Sequence, residues 1–313
     1  MTAVTAAAPA QAARPAPIRR RLRWRRAVTG WSFAAPFTVL FLVFALLPVL
    51  ASLAMSLTDM RATDLRHPLS VNFVGLANYT RLFGDDQFLR AALNTVVFVF
   101  VGVPLTVLVA LAAANGLNSG LIRFRGLFRV GFYLPVVTSI VAIAVVWRFL
   151  LDPQAGLIDN LLSLAGIKGP NWLGDPHLSL GSIIVMAVWR NFGALMVIFL
   201  AALQGIPADL YEASTLDGAG RWQQFRRITV PLLRPALLFG AVITGIGYLQ
   251  LFEEPLVMTQ GGPLSSTLSV SYDIYNQFGF GNYGYASAAA YVLFVAIVAL
   301  SALQFRLLGG RGD

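Results

Sequence analysis

Six long apolar runs alternate with polar segments along the chain. They cover about residues 31–54, 92–115, 129–151, 180–204, 236–258 and 285–308. Each is close to the ~20 residues that an α-helix needs to cross ~30 Å of hydrocarbon. Backbone amides in a bilayer have no water to bond, so runs of this length predict helices. The expected fold is all-α, with six transmembrane helices over residues 31–308. Residues 1–30, first rich in Ala and Pro and then basic, read as a disordered tail, and residues 309–313 as a second short tail.

The polar segment between the fourth and fifth runs has its own order. It spans Pro207 to Pro235 and holds four arginines and three acids, Asp209, Glu212 and Asp217. Pro207 suits the start of a helix, where no backbone N–H is needed. Asp209 and Glu212 then lie near the positive end of the helix dipole. Leu210, Ala213 and Leu216 share one face at helical spacing. Gly218 and Gly220 allow a stop and a turn. Trp222, Phe225 and Ile228 form a second stripe, which Pro231 is expected to end. The pattern predicts two short amphipathic helices around a glycine elbow.

Composition narrows the class further. Charged residues make up 12% of the chain and hydrophobic residues 57%, with a mean hydropathy of +0.71. A soluble domain carries roughly 25% charged residues. The chain has no cysteine, which excludes disulfides and thiolate metal sites, and its two histidines lie far apart. A metal centre is therefore not expected.

The net charge of +9 need not mean nucleic acid, because the basic residues follow membrane topology. With the N-terminus inside, inner segments hold sixteen arginines, and outer segments hold four arginines and Lys168. That bias places both termini and the 207–235 segment in the cytoplasm. A secretory signal peptide is the rival reading of the basic start, but the apolar run from Trp31 to Leu53 is too long for a signal core.

Against this background the polar segment resembles a known motif. The membrane subunits of bacterial ATP-binding-cassette importers carry E-A-A-x-x-x-G-x9-I-x-L-P. Here the chain reads Glu212-Ala213-Ser214, Gly218, nine residues, then Ile228-Thr229-Val230-Pro231. Ser214 replaces the usual Ala and Val230 the usual Leu. The strings FVGLANY, MTQGGP and GYASA also resemble the sugar-importer, maltose-permease-like subgroup.

The resemblance implies a type I importer fold in the bacterial cell membrane, with the loop as a coupling helix seated in an ATPase. Glu212, Ala213, Ser214, Asp217, Gly218, Ile228 and Pro231 are its ATPase-coupling candidates. The implied partners are a second homologous permease, two ATPase copies and an extracytoplasmic binding (lipo)protein. The implied cargo is a sugar or oligosaccharide, with glycerol-phosphate compounds as the alternative.

No G-x-x-x-x-G-K-[ST] phosphate loop occurs in the chain. It is therefore expected to be a non-catalytic subunit that binds no cofactor, with ATP and Mg on the partner ATPase. An ion-gradient-driven transporter is the rival class; it would need carboxylates within the membrane.

Polar residues inside apolar runs are costly and mark candidate paths. A central arginine costs about 2.5–3.5 kcal/mol on insertion scales. Arg190 and Asn191 lie mid-run in the fourth span, and Tyr248, Gln250, Glu253 and Glu254 toward the end of the fifth. These six are the substrate-path candidates. The plainer readings are a structural ion pair for Arg190 and an interfacial cluster for the glutamates. Arg148 and Asp152, at i and i+4, read as a local salt bridge.

Overall fold

The structure is a computed structural model, and it describes residues 18–67, 71–119 and 123–308. Helix dominates; among the described residues the only extended pairing is an isolated bridge between Thr58 and Phe73. Among the described residues, five helices are long and apolar enough to cross a membrane, or six if one bent pair counts as a span.

Two compact units divide the chain after Ser52. The first contains α1 (Ile18–Phe41), a π-turn at Leu42–Leu46 and the start of α2 (Leu47–Ser56). The basic stretch expected to be disordered is helical from Ile18, whereas residues 1–17 lie outside the described residues. Arg and Leu are good helix formers, and no Gly or Pro interrupts them before Gly30.

The second unit begins at Leu53. A short 3-10 turn (Ala62–Arg66) and α3 (Ala77–Phe83) lead into α4 (Asp86–Asn118). Asp85 caps α4 by accepting from the N–H of Gln87 at 2.9 Å. The third apolar run forms two helices, α5 (Arg125–Val137) and α6 (Ile140–Leu150), bent by 101°. A single straight span was expected there, and the break at Thr138–Ser139 corrects it. Both residues leave the helical region, with ψ near +146° and +128°. The Thr138 hydroxyl donates to the Leu134 carbonyl at 2.9 Å and so occupies an orphan acceptor at the end of α5. The expected Arg148–Asp152 bridge is also corrected: Asp152 accepts instead from the N–H groups of Gln154 and Ala155, both at 2.9 Å.

After α7 (Leu157–Leu164) comes α8 (Ser179–Gln204), the most enclosed span. Short α9 (Ala208–Leu216) and α10 (Arg221–Gln224) precede a second π-turn at Phe225–Thr229 and α11 (Val230–Leu249). Then α12 (Glu253–Met258), α13 (Val270–Gly279) and α14 (Tyr283–Leu308) complete the chain. Residues 309–313, expected as a tail, lie outside the described residues.

The core forms three clusters along α4. Phe98, Ile183, Met186 and Tyr248 sit in the middle; Phe199, Met196 and Leu233 lie toward the α9 end; Phe88, Leu82 and Tyr272 lie toward the α13 end. Small residues bring backbones together. A Cβ on Gly193 of α8 would strike the Phe132 carbonyl of α5.

At the α13 end, polar side chains tie loop to helix. Asn94 donates to the carbonyls of Ser265 (2.8 Å) and Leu268 (2.9 Å), and Thr95 accepts from the Val270 N–H at 3.1 Å. Tyr285 donates to Asp85 at 2.7 Å, and Gln87 donates to Asp273 at 3.0 Å. Burial pushes the Asp273 carboxyl above its ordinary value, against the Gln87 bond and helped by nearby Asp85. Burial also opposes charge on Asp85, but the Tyr285 hydroxyl and the Gln87 and Phe88 N–H groups outweigh it and hold that carboxyl low.

Two stability predictions follow from these contacts. Gly193→Ala should destabilise the purified protein by about 1–3 kcal/mol, read as a lower melting temperature. Gly181→Ala on the same helix, where a Cβ meets nothing within 4 Å, should not lower it. Asp273→Asn should raise the melting temperature at neutral pH. The folded state holds the Asp273 proton more tightly than the unfolded chain, so stability falls as pH rises from the ordinary carboxylate range through the raised folded value. The advantage of the variant should vanish in acid below that window, as a melting series across pH would register.

Candidate functional site

Two features stand apart from the packed core: an elbow at α9–α10 and a cavity between α8, α11 and α12. The elbow starts at Pro207, which caps α9 rather than opening its first turn. After α9, Gly218 takes φ +80°, a conformation that favours glycine. The Ala219 N–H bonds the Ser214 carbonyl at 2.9 Å and the Gly218 N–H the Thr215 carbonyl at 3.0 Å, which closes the end of α9.

Gln224 locks the turn. Its amide donates to the hydroxyls of Ser214 (3.0 Å) and Thr215 (2.9 Å) across the elbow. Tyr211 and Thr229 share a hydroxyl bond of 2.9 Å that ties α9 to the π-turn. Sequence reasoning missed Gln224 and Tyr211, because only the folded turn brings residues 10 to 18 apart together.

Pro231 does not end the second stripe, contrary to expectation. The helical run continues unbroken from Arg221 to Leu249. The π-turn just before Pro231 supplies the reason. Its Val230 N–H reaches back to the Phe225 carbonyl, so the widened turn shifts the carbonyl that a proline ring would otherwise strike. The same order recurs earlier: the π-turn at Leu42–Leu46 precedes Pro48. The elbow therefore joins one short helix to a long one.

Of the coupling candidates, Glu212, Ala213, Asp217, Gly218 and Pro231 are exposed, and Ser214 and Ile228 are half-buried. Apolar side chains beside them also lack cover, with Leu216 89% and Trp222 73% exposed. Trp222 stacks on Phe225 with ring centroids 5.6 Å apart.

The cavity, of about 360 Å³, is lined by all six substrate-path candidates. Arg190 and Asn191 come from α8, Tyr248 from the end of α11, Gln250 from the break, and Glu253 and Glu254 from α12. The break corrects the expected fifth span, which stops at Leu249 instead of running to residue 258. Pro255 favours the break, since its ring would crowd the Leu251 carbonyl in a continuous helix. Pro255 sits instead in the first turn of α12, where its missing N–H costs nothing.

The lining groups are only partly satisfied by one another. One Arg190 Nη1 donates to Asn191 Oδ1 at 3.1 Å, while the Arg190 Nε is buried without a partner. Asn191 donates to the Ala187 carbonyl at 2.8 Å. Glu254 is buried and Glu253 exposed. Tyr248 belongs to the wall: it shares a 2.8 Å hydroxyl bond with Thr106 and packs edge-on to Phe98. A Cβ on Gly102 would lie 2.8 Å from the Tyr248 ring, so that glycine makes room for it. Neither Thr106 nor Gly102 was legible as a supporting residue, as both lie 142 or more positions from Tyr248.

Comparison with known proteins places these features in context. The family of binding-protein-dependent transport system inner membrane components matches residues 76–309. The lactose transport system permease of Rhizobium radiobacter is 41% identical over 286 residues, covering 89% of this chain and 93% of its own. The trehalose/maltose permease of Thermococcus litoralis is 33% identical over 293 residues, covering 94% and 98%. A crystal structure of a bacterial ABC transporter that imports the acidic polysaccharide alginate aligns with a TM-score of 0.76 at 25% identity, over 94% of this chain and 100% of its own.

Taken with the coupling role that the motif resemblance implies, the elbow geometry predicts a separation of two activities. Gly218→Val forces a β-branched residue to φ +80°, at a cost of roughly 1–3 kcal/mol. In the assembled transporter, uptake should fall several-fold while ATP hydrolysis persists. Gln224→Leu, which removes the lock, should shift the same ratio less. Parallel assays of uptake and hydrolysis on one preparation measure it.

Proposed function

Because the chain belongs to the binding-protein-dependent transport system inner membrane component family, we propose that it forms half of the translocation path of an ATP-driven importer for a sugar or oligosaccharide. As a member of that family it is a multi-pass, non-catalytic transport subunit of the membrane. The cargoes named for its relatives, lactose and trehalose or maltose, support a saccharide here. A second homologous permease, two ATPase copies and an extracytoplasmic binding protein complete the assembly. ATP and Mg bind the ATPase and not this chain. Both termini and the elbow face the cytoplasm.

The observation that carries this reading is the elbow, a turn locked from within whose outer face, with Glu212, Asp217, Leu216, Trp222 and three arginines, lies exposed among the described residues. An ATPase cleft would cover Leu216 and Trp222 and engage Glu212 and Asp217. Closure of the ATPase dimer would move the elbow as one body, since Gln224 and Tyr211 hold its two arms. The motion would pass along the unbroken helix Arg221–Leu249, which ends at the cavity. There, Arg190, Asn191, Gln250 and the two glutamates would meet the cargo as the path opens.

The chain contains no cysteine, which makes single-cysteine labelling unambiguous. Leu216→Cys should react with a membrane-impermeant maleimide only from the cytoplasmic side, and bound ATPase should protect it. Labelling from the opposite side, or no protection, would overturn the proposal. Uptake that survives ATP depletion while ion gradients persist would instead favour a gradient-driven carrier.

A further inference from the structure

The charge balance of the cavity carries a finer conclusion, which rests on reading that cavity as the sugar path. Its lining holds one cation, Arg190, and two carboxylates, Glu253 and Glu254. The single cation donates its Nη1 to the neutral Asn191 side chain at 3.1 Å, and its charge is also felt by Glu254. Among the described contacts neither glutamate forms a salt bridge with it. Glu254 is only 6% exposed, and the hydrogen bond found for its carboxylate comes from its own backbone N–H. A buried carboxylate normally has side-chain or metal partners, because desolvating an unpaired charge is costly. Here the unfilled acceptor capacity faces an open volume of about 360 Å³, within the roughly 300–1,000 Å³ span of small-molecule sites.

We propose that this cavity admits uncharged saccharides and rejects anionic ones, with Glu253 and Glu254 as the discriminating pair. A neutral sugar brings hydroxyl donors, and hydroxyl-to-carboxylate bonds are charge-assisted and strong. Its ring oxygens and remaining hydroxyls can accept from the Asn191 and Gln250 amides and from the unpartnered Arg190 Nε. A uronate or sugar phosphate brings a third anion into a cavity that already holds two carboxylates. Only one guanidinium is there to offset them, and like charges at close range in such a space repel strongly. The selectivity thus comes from a repulsive element as well as an attractive one. The importer of acidic alginate shares the fold at 25% identity, so the inference rests on these side chains and not on the architecture.

Saturation-transfer NMR on the full assembly in nanodiscs tests it, with glucose, glucuronate and glucose 6-phosphate as probes on one ring. Glucose should bind, and the two anions should bind at least ~tenfold more weakly. Glu253→Gln and Glu254→Gln should each narrow that gap. Gln250→Glu, which adds a charge at the break and leaves both glutamates in place, should widen it.

Anions that bind the parent as well as glucose does, or a gap unmoved by all three variants, would overturn the inference while leaving the sugar path standing. If none of the probes binds, or if glucose binding ignores Asn191→Ala, the cavity is not the sugar path. The underlying reading then falls, and this inference with it.

Discussion

A helix in hydrocarbon must satisfy its own backbone, and much of this molecule follows from that constraint. Breaks are tolerated only where something else bonds the freed groups or where the break borders a polar space. The bend at Thr138–Ser139 meets the first condition, through the Thr138 hydroxyl on the Leu134 carbonyl. The break at Gln250–Phe252 meets the second, since it borders the cavity that Arg190 and the glutamates line. Prolines alone do not set where such interruptions fall, since Pro104 and Pro235 sit inside α4 and α11 without one. Pro255 lies in the first turn of α12, just past the end of α11, whereas Pro231 and Pro48 each follow a π-turn within continuous helix.

The elbow and the cavity are ends of one object. From Arg221 to Leu249 the helix is unbroken over 29 residues, about 43 Å at 1.5 Å per residue. Its start is clamped by the Tyr211–Thr229 bond and by Gln224. Its end carries Tyr248, fixed in turn by Thr106 and Phe98. A displacement imposed at the elbow therefore has a stiff route to the cavity wall, and the soft points lie outside that route, at Gly218 and at the 250–252 break. Binding energy spent on an outside face can in this way be expressed where a ligand would sit.

Much of the site could be read from residue order, but not all of it. The six path candidates were legible one by one because polar groups inside apolar runs are costly and stand out. That they share one cavity was not legible. Read along straight spans, Arg190 lies mid-run in the fourth and the glutamates toward the end of the fifth, so a shared cavity is not implied. The break after Leu249 starts a separate helix, α12, whose glutamates line the same cavity as Arg190. Gln224, Thr106 and Gly102 were invisible for a related reason. Each acts through a partner that is distant in sequence, and a lone Gln, Thr or Gly in a helix has many ordinary uses.

Local physics acting on residue order alone determined that the chain is helical, that it is made for a bilayer, and that a glycine-hinged polar segment interrupts its second half. Hydrophobic run length, arginine placement and motif spacing each act over a few residues, so no fold is needed to read them. Tertiary structure alone decided which prolines break a helix, where the third and fifth runs bend, and which charges meet in one cavity. Those outcomes depend on how closely α5 can approach Gly193 and on which side chain arrives from another helix to take an orphaned hydrogen bond.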